Sequence, residues 1–285
     1  MQWRNRLSGL TLIAACVLGF YLMSQPAESG VPESEVANRL ATERVVGKSD
    51  QKAEAVAITE TVIDSTAKVE TAVEPESKYS SSIVPENMTV QEKKQRFRAL
   101  IAPAVDRVYQ ELDRQYQEVA AAIKTGTDSE RIEKLKTEYR AETVEELLAA
   151  LKPHPRSIVL AQAAMESAWG TSRFFVRANN VFGVWSFDEN EARIAAGEKR
   201  GDKTIWLKKY DSIYASVKDN YRILARGSAF KEFRALRLKT DNPYELVKKL
   251  DRYSEKGDEY GRELASVISF NKFGKYDDTF YEREK

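Results

Sequence analysis

Of cysteine and histidine the 285 residues contain one each, Cys16 and His154. A single cysteine excludes an intrachain disulfide framework, and the two counts together exclude a tetrahedral zinc site of the Cys/His type. A Ser-His-Asp triad would have to use His154, which sits between Pro153 and Pro155. Acid–base chemistry therefore falls to carboxylates and tyrosines, and neither a metal nor an organic cofactor is expected. An excess of one charge is also missing. The 45 Lys+Arg against 44 Asp+Glu leave +1, which gives no case for nucleic acid as the main partner. Apolar residues at 42% and aromatics at 10% nonetheless suffice for a real core.

Long apolar runs are scarce, and the clearest is residues 7–23, without a charge and preceded by Arg4 and Arg6. That is the layout of a secretory signal, and it is just long enough to span a bilayer. The sequence around Ser24 to Ala27 lacks a small residue three before a cleavage point, and the box ending at Cys16 is followed by more apolar residues. Residues 1–23 therefore read as a signal or anchor segment, the uncleaved anchor being favoured, with the basic end cytoplasmic; either way the remainder is exported to the periplasm or cell envelope, and an anchor would tether it to the inner membrane. Residues 24–88 hold 12 acids, 6 bases and one aromatic, Tyr79, a composition that reads as a disordered acidic linker whose role is reach. Residues 89–285 then carry +5.

Thr89 is placed to cap a helix over 90–124 that stops at Gly126 and is kinked or split by Pro103. Shorter helices are expected over 128–141 and 143–151, so that 89–154 forms a helical scaffold ahead of a catalytic part at 155–285. Residues 157–172 stand apart. At 31% charged, a window of that size should hold about five charges, and it holds one, Glu166. Such a segment reads as a buried central helix stopped by Gly170, with a lone carboxylic acid in its last turn. Burial, the negative end of the helix dipole and a wall supplied by Trp169 should each favour the protonated form and push its pKa up. Proton donation to a leaving oxygen suits such an acid. The competing reading is a buried glutamate satisfied by hydrogen bonds or by Arg173.

Between residues 169 and 187 lie six aromatics, Trp169, Phe174, Phe175, Phe182, Trp185 and Phe187, interleaved with Asn179, Asn180 and Gly183. Rings mixed with amide donors suit the C–H faces and polar edges of sugars. Phe174, Phe182 and Phe187 are expected to serve as core. Residues 188–203 read as a mobile polar loop and 204–210 as a strand, giving a small β-lobe over 181–210, followed by helices near 212–225, 228–238, 243–253 and 258–269.

The run Ala161 to Gly170 with its Glu-Ser-Ala-Trp-Gly core, followed by Asn179, Asn180, Val181, Phe182 and Gly183, resembles the peptidoglycan N-acetylglucosaminidases typified by the hydrolase domain of the flagellar rod-cap protein, and within them the Bax-type subgroup. Further matches are Tyr210, Asp211 and Ser212, then Ser216 and Tyr221, then Asp251 to Ser254 before Tyr260. The resemblance covers about 89–285. It implies an α+β, mainly α, lysozyme-like fold with a helical lobe, a small β-lobe and a cleft between them. It implies a hydrolase cutting the β-1,4 bond after N-acetylglucosamine in cell-wall glycan strands, with Glu166 as general acid and Tyr253 beside it. The candidate sugar-contacting residues are Trp169, Asn180, Phe182, Gly183, Trp185, Tyr210 and Tyr221. The family's second carboxylate lies in the β-lobe, and here the sequence departs from the pattern. Glu198 is the choice, Glu191 and Asp202 share its spacing, and assistance by the substrate acetamido group stays open. A lytic transglycosylase and a non-catalytic wall-binding module are the alternatives.

Overall fold

The computed structural model describes residues 79–200 and 203–277; the side chains of residues 198–200 and 203 are outside the description. The anchor at 1–23, the linker up to residue 78, Asp202 and the Glu198 side chain therefore lie outside the described residues. Among the described residues, no helix is long and apolar enough to cross a membrane.

The chain is mainly helical with a small two-stranded antiparallel sheet, the α+β class expected. Helix α1, Val90–Thr125, begins in a capping box between Thr89 and Glu92 and ends at Gly126 in the left-handed conformation, φ 68°. It is not split at Pro103, where a missing N–H and ring clash cost about 3 kcal/mol. Burial of Ile101, Ala104 and Val105 on both sides of the proline holds the helix together. Helices α2, Ser129–Tyr139, and α3, Val144–Leu151, fold back on the second half of α1 around a small cluster of Val119, Ile132, Leu135, Leu147 and Leu151.

The main core surrounds α4, Arg156–Glu166, of which every residue except Met165 is buried. Phe97, Ile101, Val105 and Val108 from the first half of α1 belong to this same core, so residues on both sides of position 155 share one interior. The entrance to α4 is fixed by charge. Asp277 accepts from Ser157 N at 2.9 Å at the positive end of the helix, and Arg156 pairs with Asp106 at 3.0 Å. Residues 79–88, placed in the linker on composition, run against α1. The buried guanidinium of Arg96 donates to the carbonyls of Ser80, Ser81 and Ile83 at 2.8, 3.2 and 2.9 Å, and to Gly170 O at 2.7 Å.

Helix α5, Arg173–Ala178, follows a tight turn and leads to the hairpin. Strand β1, Arg193–Arg200, pairs with β2, Lys203–Lys208, in a register running from Arg193–Lys208 to Arg200–Lys203, with an irregularity between Ala195 and Lys199. The segment expected as a loop at 188–203 is thus largely strand. Its charges and Gly197 hid the signal, and β2 supplies the pairing. Arg173 holds the irregularity by donating to Ala195 O and Ala196 O at 2.7 and 2.6 Å. Helix α6, Ile213–Arg226, a 3₁₀ turn, α7, Lys231–Arg237, and α8, Pro243–Leu246, close the lower part. Two more 3₁₀ turns, the second Asp251–Tyr253, lead to α9, Asp258–Phe270, which packs on α4.

Candidate active site

Glu166 is the last residue of α4 and is 6% exposed. The chain leaves the helix abruptly. Ala168, Trp169 and Gly170 take φ of 51°, 62° and 72°, three left-handed residues in succession. Ser167 stitches this turn by donating to Ala163 O at 2.6 Å and accepting from Gly170 N at 2.8 Å. A non-glycine residue in the left-handed region costs about 1–2 kcal/mol, so two of them beside the lone acid mark a strained, over-determined turn.

The side chain of Glu166 accepts from Tyr260 Oη at 3.1 Å. Tyr260 is fully buried on α9, and its ring stacks on Tyr253 with centroids 5.2 Å apart and planes 10° from parallel. Gln162 Nε2 donates to Tyr260 Oη at 3.4 Å, Asn220 Nδ2 donates to Gln162 Oε1 at 3.4 Å, and Tyr253 Oη donates to Asn220 Oδ1 at 3.2 Å. Tyr253, expected beside the acid, is therefore joined to it through Tyr260. Gln162 and Asn220 were not singled out from the sequence, and Tyr260 was quoted only as a marker of the resemblance, with no role. Gln162 had a signal, being one helical turn before Glu166 on the same face. The other two reach the acid only through tertiary packing.

A second cluster adjoins Tyr253. Tyr210 donates to Asp219 Oδ2 at 2.7 Å, and Lys208 pairs with Glu191 at 3.4 Å and with Asp219 at 3.7 Å. Burial first, then Asp219, holds the Tyr210 phenol far up its range, with Glu191 and Tyr253 adding to the push. Of the three carboxylates matching the expected second position, Glu191 is the one whose side chain is described, and it belongs to this cluster.

Several expected sugar contacts have other duties. Asn180 is 1% exposed and its amide is committed, donating to Val184 O and Lys208 O, both at 2.9 Å, and accepting from Val184 N at 3.0 Å. It clamps the turn containing Gly183, φ 67°, to β2. Phe182 is core. Tyr221 is buried, donates to His154 O at 3.2 Å and packs against the His154 ring, tilted by 36° with centroids 4.3 Å apart, so it is a core pillar and no sugar platform. Trp169 was expected to wall Glu166. Its ring meets Phe97 edge-on at 5.3 Å and Phe273 at 6.2 Å, with the Lys94 ammonium 4.7 Å away, so it docks the strained turn on α1, and the ring bonded to Glu166 is that of Tyr260. Phe187, expected as core, is 55% exposed, whereas Phe175 and Phe182 are buried. Trp185, half-buried, lies 6.2 Å from Phe187, which leaves an aromatic pair at the surface. Arg173 holds β1 and has no bond to Glu166 among those described.

His154 is fully buried, and desolvation, then Arg237, holds its pKa well below the ordinary histidine range. It is a neutral core residue, outside any triad. Among the described residues no group of three or more His, Cys, Asp or Glu side chains is arranged to hold a metal. A cavity of about 480 Å³ between α3 and α7, walled by Arg140, Glu146, Arg226 and Lys231, holds none of the expected site residues.

The glucosaminidase family, described as mannosyl-glycoprotein endo-beta-N-acetylglucosaminidase, matches residues 141–273. Exo-glucosaminidase LytG of Bacillus subtilis is 28% identical over 130 residues, which is 43% of this chain and 46% of that protein, so the chain spans about half the length of that relative. Among solved structures, N-acetylmuramoyl-L-alanine amidase from Staphylococcus aureus aligns at TM-score 0.41 and 18% identity over 65% of this chain and 43% of that one. A glycoside hydrolase domain of FlgJ from Salmonella typhimurium aligns at TM-score 0.34 and 21% identity over 48% and 97%. The span that matches the glucosaminidase family, residues 141–273, contains Glu166, Gln162, Asn220, Tyr253, Tyr260 and the hairpin.

Proposed function

We propose that the chain is a peptidoglycan hydrolase that cuts the β-1,4 bond after N-acetylglucosamine, with Glu166 as general acid. The observation that carries this reading is a buried carboxylic acid, at the end of the central helix in the span that matches the glucosaminidase family, that accepts a bond from one tyrosine hydroxyl. Burial favours the protonated acid before reaction, and the Tyr260 donor stabilises the carboxylate left after the proton has gone to the leaving oxygen. Water completes the cleavage at the anomeric carbon. Glu198 in β1 is the carboxylate that takes its proton, or the substrate acetamido group assists instead. Tyr210, Trp185 and the exposed Phe187 would supply the rings and hydroxyl that meet the sugar from the hairpin side. The +5 of residues 89–285 suits a polyanionic wall, and an anchor at 1–23 with its tether would hold the domain to the inner membrane while it reaches the glycan.

The test is to digest purified peptidoglycan in ¹⁸O water and identify the ends by mass spectrometry. Reducing N-acetylglucosamine ends carrying one ¹⁸O are expected, on oligomers for internal cleavage. Anhydro ends would make the chain a lytic transglycosylase, and no new ends would leave a wall-binding module.

A further inference from the structure

Two of the buried amides belong to one hydrogen-bonded network with Glu166. Gln162 is 0% and Asn220 1% exposed. A buried carboxamide costs free energy unless each of its ends is bonded, and such groups invite a reason for their presence. Here each is bonded at both ends, and the bonds run one way. The direction is Tyr253 to Asn220, Asn220 to Gln162, Gln162 to Tyr260 and Tyr260 to Glu166, at 3.2, 3.4, 3.4 and 3.1 Å. The stack of Tyr253 on Tyr260 closes the chain on itself.

We propose that Gln162 and Asn220 are positioning residues that hold the Tyr260 hydroxyl as a donor to Glu166 Oε1; this rests on the reading of Glu166 as the acid. A phenol has one proton. With Gln162 Nε2 occupying its lone pair, the Tyr260 proton points at the carboxylate. Asn220 in turn holds Gln162 in the orientation that presents Nε2 and not Oε1, and Tyr253 holds Asn220. Amides do not titrate in the working range, so this orientation survives pH changes that would reverse a carboxylate or imidazole in the same place. Aligned bonds also polarise one another, which strengthens the last link. Four segments, α4, α6, the Asp251–Tyr253 turn and α9, are thereby keyed to the geometry of one carboxyl group.

The experiment uses the full chain on soluble peptidoglycan fragments and measures kcat and KM across pH, with melting temperatures alongside. The variants are Gln162→Met, Asn220→Leu, Tyr260→Phe, the double variant Gln162→Met/Tyr260→Phe, and Glu166→Gln. Gln162→Met should lower kcat about tenfold, the scale of one charge-assisted hydrogen bond, with KM within about twofold. The alkaline limb of kcat should move to higher pH, because a carboxylate that has lost a donor is harder to form. The double variant should be no worse than Tyr260→Phe alone, since Gln162 acts through that hydroxyl. Asn220→Leu should move the same limb, and it carries the test if Gln162→Met does not fold. A variant that melts lower but keeps wild-type kcat and pH limbs overturns the proposal, as do effects of Gln162→Met and Tyr260→Phe that multiply. Wild-type turnover in Glu166→Gln would remove the acid and the proposal together. An inactive Glu166→Gln beside an unaffected Gln162→Met would remove the proposal alone.

Discussion

Glu166 ends the central helix and His154 lies just before its start, both buried, and their surroundings assign them different work. Glu166 has a phenol donor and a strained turn beside it; His154 has the Tyr221 and Phe233 rings and a neighbouring guanidinium. Arg237 Nη1 can only donate, so His154 Nδ1 accepts and the ring proton sits on Nε2. His154 stays neutral in the folded protein well below the pH at which the unfolded chain protonates it, near 6.5. Below about pH 6.5 the unfolded state binds the extra proton. The contribution to stability is therefore complete above that pH and shrinks on acidification, with a limiting slope of about 1.4 kcal/mol per pH unit. Melting temperatures between pH 5 and 8 should fall more steeply with acid in the wild type than in His154→Gln; parallel curves would contradict this assignment. The acid itself was legible in the sequence because it is the one charge in a 16-residue apolar window. Its bonded partner was not, since Tyr260 is 94 positions away and adjacency there is made by packing.

At the scale of elements, the turn after α4 concentrates the conformational cost. Gly170 has φ 72°, and a Cβ added there would meet Arg96 and Phe175 at an ordinary 3.5 Å, so strain and not collision opposes a side chain. Gly170→Ala should cost about 1–2 kcal/mol in chemical denaturation, and Ala168→Gly, at φ 51° and exposed, should gain up to about 1 kcal/mol. Unchanged midpoints for both would mean that the turn is relaxed. Helix positions were readable from caps and periodicity: Thr89, Thr143 and Ser212 each cap the helix they precede. Strand β1 was not readable, because Ile194, Ala195 and Ala196 are followed by a glycine and charges, and its stability comes from β2 and from Arg173. The asparagine and aromatic loop misled for a related reason. Composition marks Asn180, and the resemblance marks Tyr221 in α6, as sugar binders, but backbone partners 4, 28 and 67 positions away claim them for the interior.

For the whole molecule, the consequence of Arg96 is that the folded body begins before the composition change suggests. Two truncations separate reach from folding. Removing 24–78 while keeping 1–23 should leave the melting temperature and the turnover of soluble fragments unchanged, and impair attack on intact wall. Extending the deletion to 88 removes three carbonyls from a buried guanidinium and should cost about 1–3 kcal/mol, seen as a melting temperature several degrees lower. Equal melting temperatures would mean that water replaces those carbonyls without loss.

The central claim, that one buried carboxylic acid drives cleavage of wall glycan, is tested most directly by the turnover of Glu166→Gln on purified peptidoglycan, at matched circular dichroism and melting temperature. The amide keeps the shape and can still accept from Tyr260 but has no proton to give up, so a loss of at least about 10²-fold is expected, with substrate binding retained. Release of glycan fragments at near wild-type rate by a correctly folded Glu166→Gln would contradict the account.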